Sequence, residues 1–142
     1  MFKGRATPRL DDKGRLTLPA KYRSELGDAV TVVCEPERCL GIYGRAVFED
    51  QMRRFLEAPS TIRQVRDYQR WVNARAEDVE PDGQGRITLT TQQREWARFD
   101  REVVVIGSGN RLEVWNPTAW NEHEEQLNQE FINFDGIIAV DP

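Results

Sequence analysis

Twice in this chain an aspartate stands four positions ahead of an arginine, with a glycine immediately before the arginine. Asp11-Asp12-Lys13-Gly14-Arg15-Leu16-Thr17-Leu18 is matched 71 positions later by Asp82-Gly83-Gln84-Gly85-Arg86-Ile87-Thr88-Leu89. A glycine takes positive φ at the tip of a chain reversal, and a short carboxylate accepts backbone N–H bonds inside the turn. Gly14 and Asp11, like Gly85 and Asp82, are therefore expected to organise a rigid turn from which Arg15 or Arg86 leaves at a fixed angle. A guanidinium held in this way engages a phosphate, or the O6/N7 edge of guanine, through two parallel hydrogen bonds. The same residues also read as an ion pair that only locks the turn; exposed, such a pair contributes ~0–1 kcal/mol. The two roles are compatible. Lys13 at the first tip, and Arg5 and Arg9 in the arm before it, are candidate phosphate contacts, with ordinary solvated charge as the alternative.

The formal net charge of −4 counts against a polyanionic partner only if charge is spread evenly. It is not. Residues 1–23 carry seven basic residues against Asp11 and Asp12, a net of +5, whereas no Lys or Arg follows Arg111 and the remaining segment is −7. Because salt screens charge beyond roughly 8–10 Å, the local excess governs what the basic end attracts.

The elements that must carry these residues repeat as well. Leu16-Thr17-Leu18 and Ile87-Thr88-Leu89 alternate as half-buried strands. Pro19 opens a short helix from Ala20 to Leu26 with Gly27 as its stop, and Thr90 or Thr91 caps an equivalent helix through Phe99. The β-branched runs Val30–Val33 and Val103–Ile106 follow, then turns and the strands Leu40–Tyr43 and Leu112–Trp115. A longer helix closes each half, from near Ala46 and near Thr118. Phe48, Met52 and Phe55 form one helical face. Ile62, Val65 and Val72 form another after the Pro59-Ser60 break, while Trp120, Leu127 and Phe131 mark the last helix before a short apolar tail, Ile137 to Val140. At 142 residues the chain is one domain's worth, and a half of about 70 residues is marginal alone, so the halves are expected to share one core.

Enzymatic chemistry finds little support. His123, the only histidine, sits among Glu122, Glu124 and Glu125 and reads as a solvated helix residue rather than a base or ligand. Neither a phosphate-binding loop nor a zinc-protease motif occurs, so no cofactor, metal or small-molecule substrate is expected. Cys34 and Cys39 flank a four-residue turn and could face each other across a hairpin; reduced packing residues are the simplest reading, a regulatory disulfide the alternative. No apolar run of membrane-spanning length and no basic-then-apolar leader are read, which makes a cytoplasmic protein the expectation.

Two such motifs with matching flanks, together with the opening Met1-Phe2-x-Gly4 and the Leu-Pro-Ala-Lys-Tyr-Arg run at 18–23, cover essentially the whole chain. This pattern resembles the MraZ family of bacterial regulators, whose two halves belong to the AbrB/MazE swapped-hairpin superfamily. The second copy departs slightly, with Thr90 in place of Pro19, Gln84 opposite Lys13 and Gln92 opposite Lys21. The resemblance implies a nucleoid-associated transcriptional regulator that binds repeated boxes in double-stranded DNA upstream of a division and cell-wall gene cluster, acting as a ring-like homo-oligomer. The expected fold is α+β, mostly β: a pseudo-two-fold swapped-hairpin barrel with peripheral helices. It would be a single domain over 1–142, with repeat 1 at about 5–51, connecting helices at about 46–75, repeat 2 at about 76–125 and a C-terminal helix and tail at about 118–142. The rival readings are an assembly protein without sequence-specific DNA binding and, more remotely, a carboxylate-based hydrolase. Between the two motifs, the richer basic flank assigns most of the DNA contact to the first.

Overall fold

The computed structural model describes residues 1–57 and 61–132. Along the chain these form β1 (Arg5–Ala6), β2 (Arg15–Thr17), α1 (Ala20–Leu26), β3 (Val30–Cys34), β4 (Leu40–Gly44), α2 (Arg45–Glu57) and α3 (Arg63–Arg75). The second series is β5 (Glu77–Val79), β6 (Arg86–Thr88), α4 (Thr91–Trp96), β7 (Val104–Gly107), β8 (Leu112–Trp115) and α5 (Pro117–Ile132). Pro19 precedes α1, and Gly27 ends it at φ 82°. Thr90 caps α4 through a reciprocal pair: its hydroxyl accepts from the Gln93 N–H, and the Gln93 side chain accepts from the Thr90 N–H. Gln93 is buried, and its amide also donates to the Val32 carbonyl, tying the helix start to the sheet.

Six strands form an antiparallel sheet in the order β1-β7-β8-β4-β3-β5, and β2 pairs with β6 in a separate two-stranded ribbon. Within the halves run only the hairpins β3·β4 and β7·β8; the pairings β1·β7, β5·β3, β4·β8 and β2·β6 all join one half to the other. In the ribbon Leu16 lies opposite Ile87, and in the sheet Gly41 lies opposite Glu113, so each of these strands pairs with its own equivalent. The inward residues Leu16, Leu18, Ile87 and Leu89 meet Val30, Val32, Leu40, Ile42, Val105, Leu112 and Val114 in one core shared by both repeats. On the outer face, Val33, Tyr43, Phe48 and Val72 pack under α2 and α3, while Cys39, Val104, Trp115 and Trp120 pack under α5.

Several expectations are corrected. The β structure is not a closed barrel: the sheet ends at β1 and β5, and the ribbon pairs with neither edge. The apolar side of the ribbon is applied to a face of the sheet, as layers about 10 Å apart require, and Tyr22 and Leu26 of α1 with Ala97, just after α4, complete that core. Each repeat also opens with a short strand, β1 or β5, that carries no alternating pattern; Glu77-Asp78-Val79 is polar because it is an edge. The cysteines do not face each other. Cys34 lies opposite Leu40 and points into the shared core, Cys39 points to the outer cluster, and both are buried free thiols that desolvation pushes up in pKa. His123 is not a solvated side chain; it is half-buried and stacked on Trp115 with ring centres 4.9 Å apart. Ile62 is exposed rather than part of the α3 packing face. The Pro59-Ser60 break and the tail from Ile137 to Val140 lie outside the described residues.

Candidate nucleic-acid interface

Both turns are built the same way. Asp11 Oδ1 accepts from the backbone N–H groups of Lys13 and Arg15, each at 2.9 Å, and its Oδ2 accepts from the Arg15 Nε at 2.6 Å. Asp82 Oδ1 accepts from Gln84 and Arg86 at 2.9 Å each, and its Oδ2 from the Arg86 Nε at 2.8 Å. The Gly14 N–H returns to the Asp11 carbonyl at 3.0 Å and the Gly85 N–H to the Asp82 carbonyl at 2.8 Å, with φ of 72° and 75° at the two glycines. These positions are left-handed, the conformation glycine adopts without steric cost. The backbone N–H of the following arginine holds each carboxyl below the usual carboxylate range, and for Asp82 the value falls to about 2.

The aspartate therefore does two jobs. Its bonds to the backbone shape the turn, and its bond to Nε fixes the plane of the guanidinium; the contact to the carboxylate runs through Nε in both copies. The ion pair read for Arg15 and Arg86 is present in both turns.

The ribbon then brings both arginines to one surface. Alternation buries Leu16 and Ile87 and turns Arg15, Thr17, Arg86 and Thr88 to the opposite side. Arg15 lies across from Thr88 and Thr17 across from Arg86, which makes the arginines diagonal neighbours, a relation that places Cβ atoms roughly 7–8 Å apart. Each arginine side chain is 27% exposed, and Lys13 stands exposed on the first tip. The tips are joined across the repeats, with the Leu18 N–H donating to the Gly85 carbonyl at 2.9 Å and the Leu89 N–H to the Gly14 carbonyl at 3.1 Å.

Arg5 and Arg9 are not on the ribbon. Arg5 belongs to the edge strand β1, where its Nη2 pairs with Glu124 of α5 at 2.5 Å and its guanidinium lies over the Trp120 ring. Arg9 is exposed, and its backbone pairs antiparallel with that of Glu102 in the approach to the first turn. There the neighbouring Asp12 forms an ion pair with Arg101, a tie that Gly83 cannot supply in the second turn. Sequence reasoning also missed Thr17 and Thr88 as members of the exposed face, and Arg23 and Arg94, which lie over Gly85 and Gly14 respectively. The signal for the arginines was present in their separation of 71 positions, the same as that of the two motifs.

Among the described residues no cluster suited to a metal ion occurs, and no helix is long and apolar enough to cross a membrane. The family described as MraZ protein, antitoxin-like, matches residues 1–71 and 73–135. The chain is 47% identical over 133 residues to the transcriptional regulator MraZ of Saccharopolyspora erythraea, covering 91% of this chain and 93% of that protein. It is 39% identical over 141 residues to the protein of the same name from Cutibacterium acnes, with 99% of each chain covered, and 42% identical over 134 residues to that of a Nocardioides species, with 94% and 93% covered. These relatives are named as regulators of transcription and not as enzymes. The duplicated turn, its flanks and its matches across nearly the full length place the chain in the MraZ family.

Proposed function

We infer that this protein is a DNA-binding transcriptional regulator, and that the Arg15/Arg86 face of the β2·β6 ribbon enters the major groove. One observation carries this: two guanidinium groups, each held at Nε by its own aspartate, share the exposed side of a two-stranded ribbon. A ribbon of this kind fits the major groove, and an arginine presenting two terminal nitrogens matches the guanine edge or a backbone phosphate. Lys13 and Arg9 add phosphate contacts on the first-repeat side. Arg5 joins them only where Glu124 releases it.

The finer reading joins the family resemblance to this geometry. The chain is a single domain of two AbrB-like repeats with swapped hairpins, with the repeat and helix boundaries given above; the four cross-half pairings support it. Homo-oligomers, arranged as a ring, bind repeated boxes in the promoter of a division and cell-wall gene cluster. The protein is cytoplasmic and associates with the nucleoid. Linking several weak, largely electrostatic contacts on one rigid assembly raises avidity by ~10²–10⁴ when the boxes match the subunit spacing.

The test is binding to a fragment of the gene's upstream DNA carrying direct repeats, measured across a salt series. Affinity is expected to fall steeply with log salt, and Arg15→Ala is expected to weaken specific binding by ~1–3 kcal/mol while leaving the oligomer intact. Salt-insensitive or undetectable binding by well-folded protein would favour a purely assembling role.

A further inference from the structure

Each repeat lays an arginine across the other repeat's turn. Arg23, on α1 of the first repeat, covers Gly85; Arg94, on α4 of the second, covers Gly14. A Cβ on Gly14 would stand 2.8 Å from the Arg94 Nε and 2.9 Å from its Cζ, and one on Gly85 would collide with the Arg23 guanidinium. Both glycines are buried although they sit in surface turns. The backbone crosses in the same sense, through Leu18 to the Gly85 carbonyl and Leu89 to the Gly14 carbonyl. Arg23 completes a circuit: its Nε donates to the Leu18 carbonyl at 2.8 Å, so the residue whose N–H grips Gly85 is itself held by the guanidinium lying on Gly85. Arg94 is held less firmly, with Nη2 donating to the Thr91 hydroxyl at 3.2 Å and a buried Nε that has no partner among the described residues.

We propose that Arg23 and Arg94 are positioning residues acting across the repeats: Arg23 holds the turn from which Arg86 projects, and Arg94 holds the turn that carries Arg15. The inference rests on the ribbon being the DNA interface. A guanidinium supplies a flat plate with a long apolar stem, and laid on a glycine it shields the peptide groups that bond to the aspartate below. Without the plate the turn opens locally and the arginine loses its fixed direction. Lysine preserves the charge but offers no plate, which separates a brace from a simple electrostatic contribution. Each of the two arginines then depends on the other repeat's helix, so that damage to one repeat's helix is felt at the other repeat's tip.

Two measurements on the full chain test this. The first needs no DNA: amide hydrogen exchange is followed in Arg23→Gln, Arg23→Lys and Arg94→Gln. Both Arg23 variants are expected to speed exchange at Gln84 and Arg86 by about tenfold, with Lys13 and Arg15 unchanged, and Arg94→Gln is expected to give the mirror pattern. Acceleration at a variant's own repeat, no acceleration, or restoration by lysine would overturn the proposal. Global unfolding of both Arg23 variants would do so too, because a brace on one turn does not sustain the fold. The second is a double-mutant cycle in binding to the upstream fragment. Arg23→Gln is expected to be non-additive with Arg86→Ala and additive with Arg15→Ala; the reverse pattern overturns the proposal. Failure of the wild-type protein to bind DNA would strike the functional reading alone, leaving exchange to decide the brace.

Discussion

A carboxylate with both oxygens committed is the smallest working part of this protein. Asp82 spends one oxygen on two backbone N–H groups and the other on the Arg86 Nε, and its pKa of about 2 expresses how strongly those donors favour the charged form. Because the folded value lies below that of an unfolded aspartate, about 3.9, the stabilising contribution is fully present above that pH and is lost as pH falls through about 2. The Gln84 and Arg86 amide resonances are accordingly expected to stay constant above about pH 4 and to shift together on acidification toward pH 2, as followed by NMR. Asp82→Asn keeps an acceptor for the backbone but turns an N–H group or a neutral oxygen toward Arg86. It is expected to weaken DNA binding about tenfold with the fold retained, read by titration at fixed salt. Gly14→Ala and Gly85→Ala face a different obstacle, a left-handed backbone costing about 1–2 kcal/mol together with a guanidinium in the space of the new methyl group. Denaturant unfolding should show both destabilised, Gly85→Ala the more so because Arg23 is pinned to the Leu18 carbonyl and cannot withdraw freely.

At the scale of elements, the ribbon turns two separated motifs into one surface. Three residues per strand make a weak pair alone; the ribbon persists because its inner side chains Leu16 and Ile87 are buried in the shared core and its ends are bonded tip to tip. The geometry of Arg15 and Arg86 is nearly identical, so a difference in their contributions has to come from their surroundings. Lys13 flanks the first arginine where Gln84 flanks the second, and the first tip is further tied by Asp12 to Arg101. Arg86→Ala is therefore expected to weaken binding less than Arg15→Ala, within the ~1–3 kcal/mol that a bidentate base contact contributes. Equal or reversed losses in the same binding assay would refute that division.

For the whole molecule, the governing fact is that most strand pairing crosses between the halves. A fragment of residues 1–75 keeps the β3·β4 hairpin but loses the cross-half partners of β1, β2, β3 and β4; a fragment of 76–132 keeps the β7·β8 hairpin but loses those of β5, β6, β7 and β8. Each fragment would also expose its share of a core built from both repeats. Neither is expected to show a cooperative thermal transition by circular dichroism on its own, and mixing the two is expected to restore one. A cooperative transition in either isolated fragment would show that the shared core is dispensable.

The sequence by itself determined the turns, the short helices and the hairpins, because each depends on residues close along the chain: Gly14 before Arg15, Pro19 before α1, Thr90 or Thr91 before α4, and the β-branched runs of β3 and β7. It also carried the duplication, and with it the candidate arginines Arg15 and Arg86. Only the tertiary structure decided that these arginines lie on one face, since the pairing of Leu16 with Ile87 joins positions 71 residues apart without a local signal. The open sheet, the edge strands β1 and β5, the engagement of Arg5 by Glu124 and the crossing of Arg23 and Arg94 belong to the same class. In each, a polar or short segment takes its role from a partner far along the chain, and that choice rests on which apolar faces must be buried together.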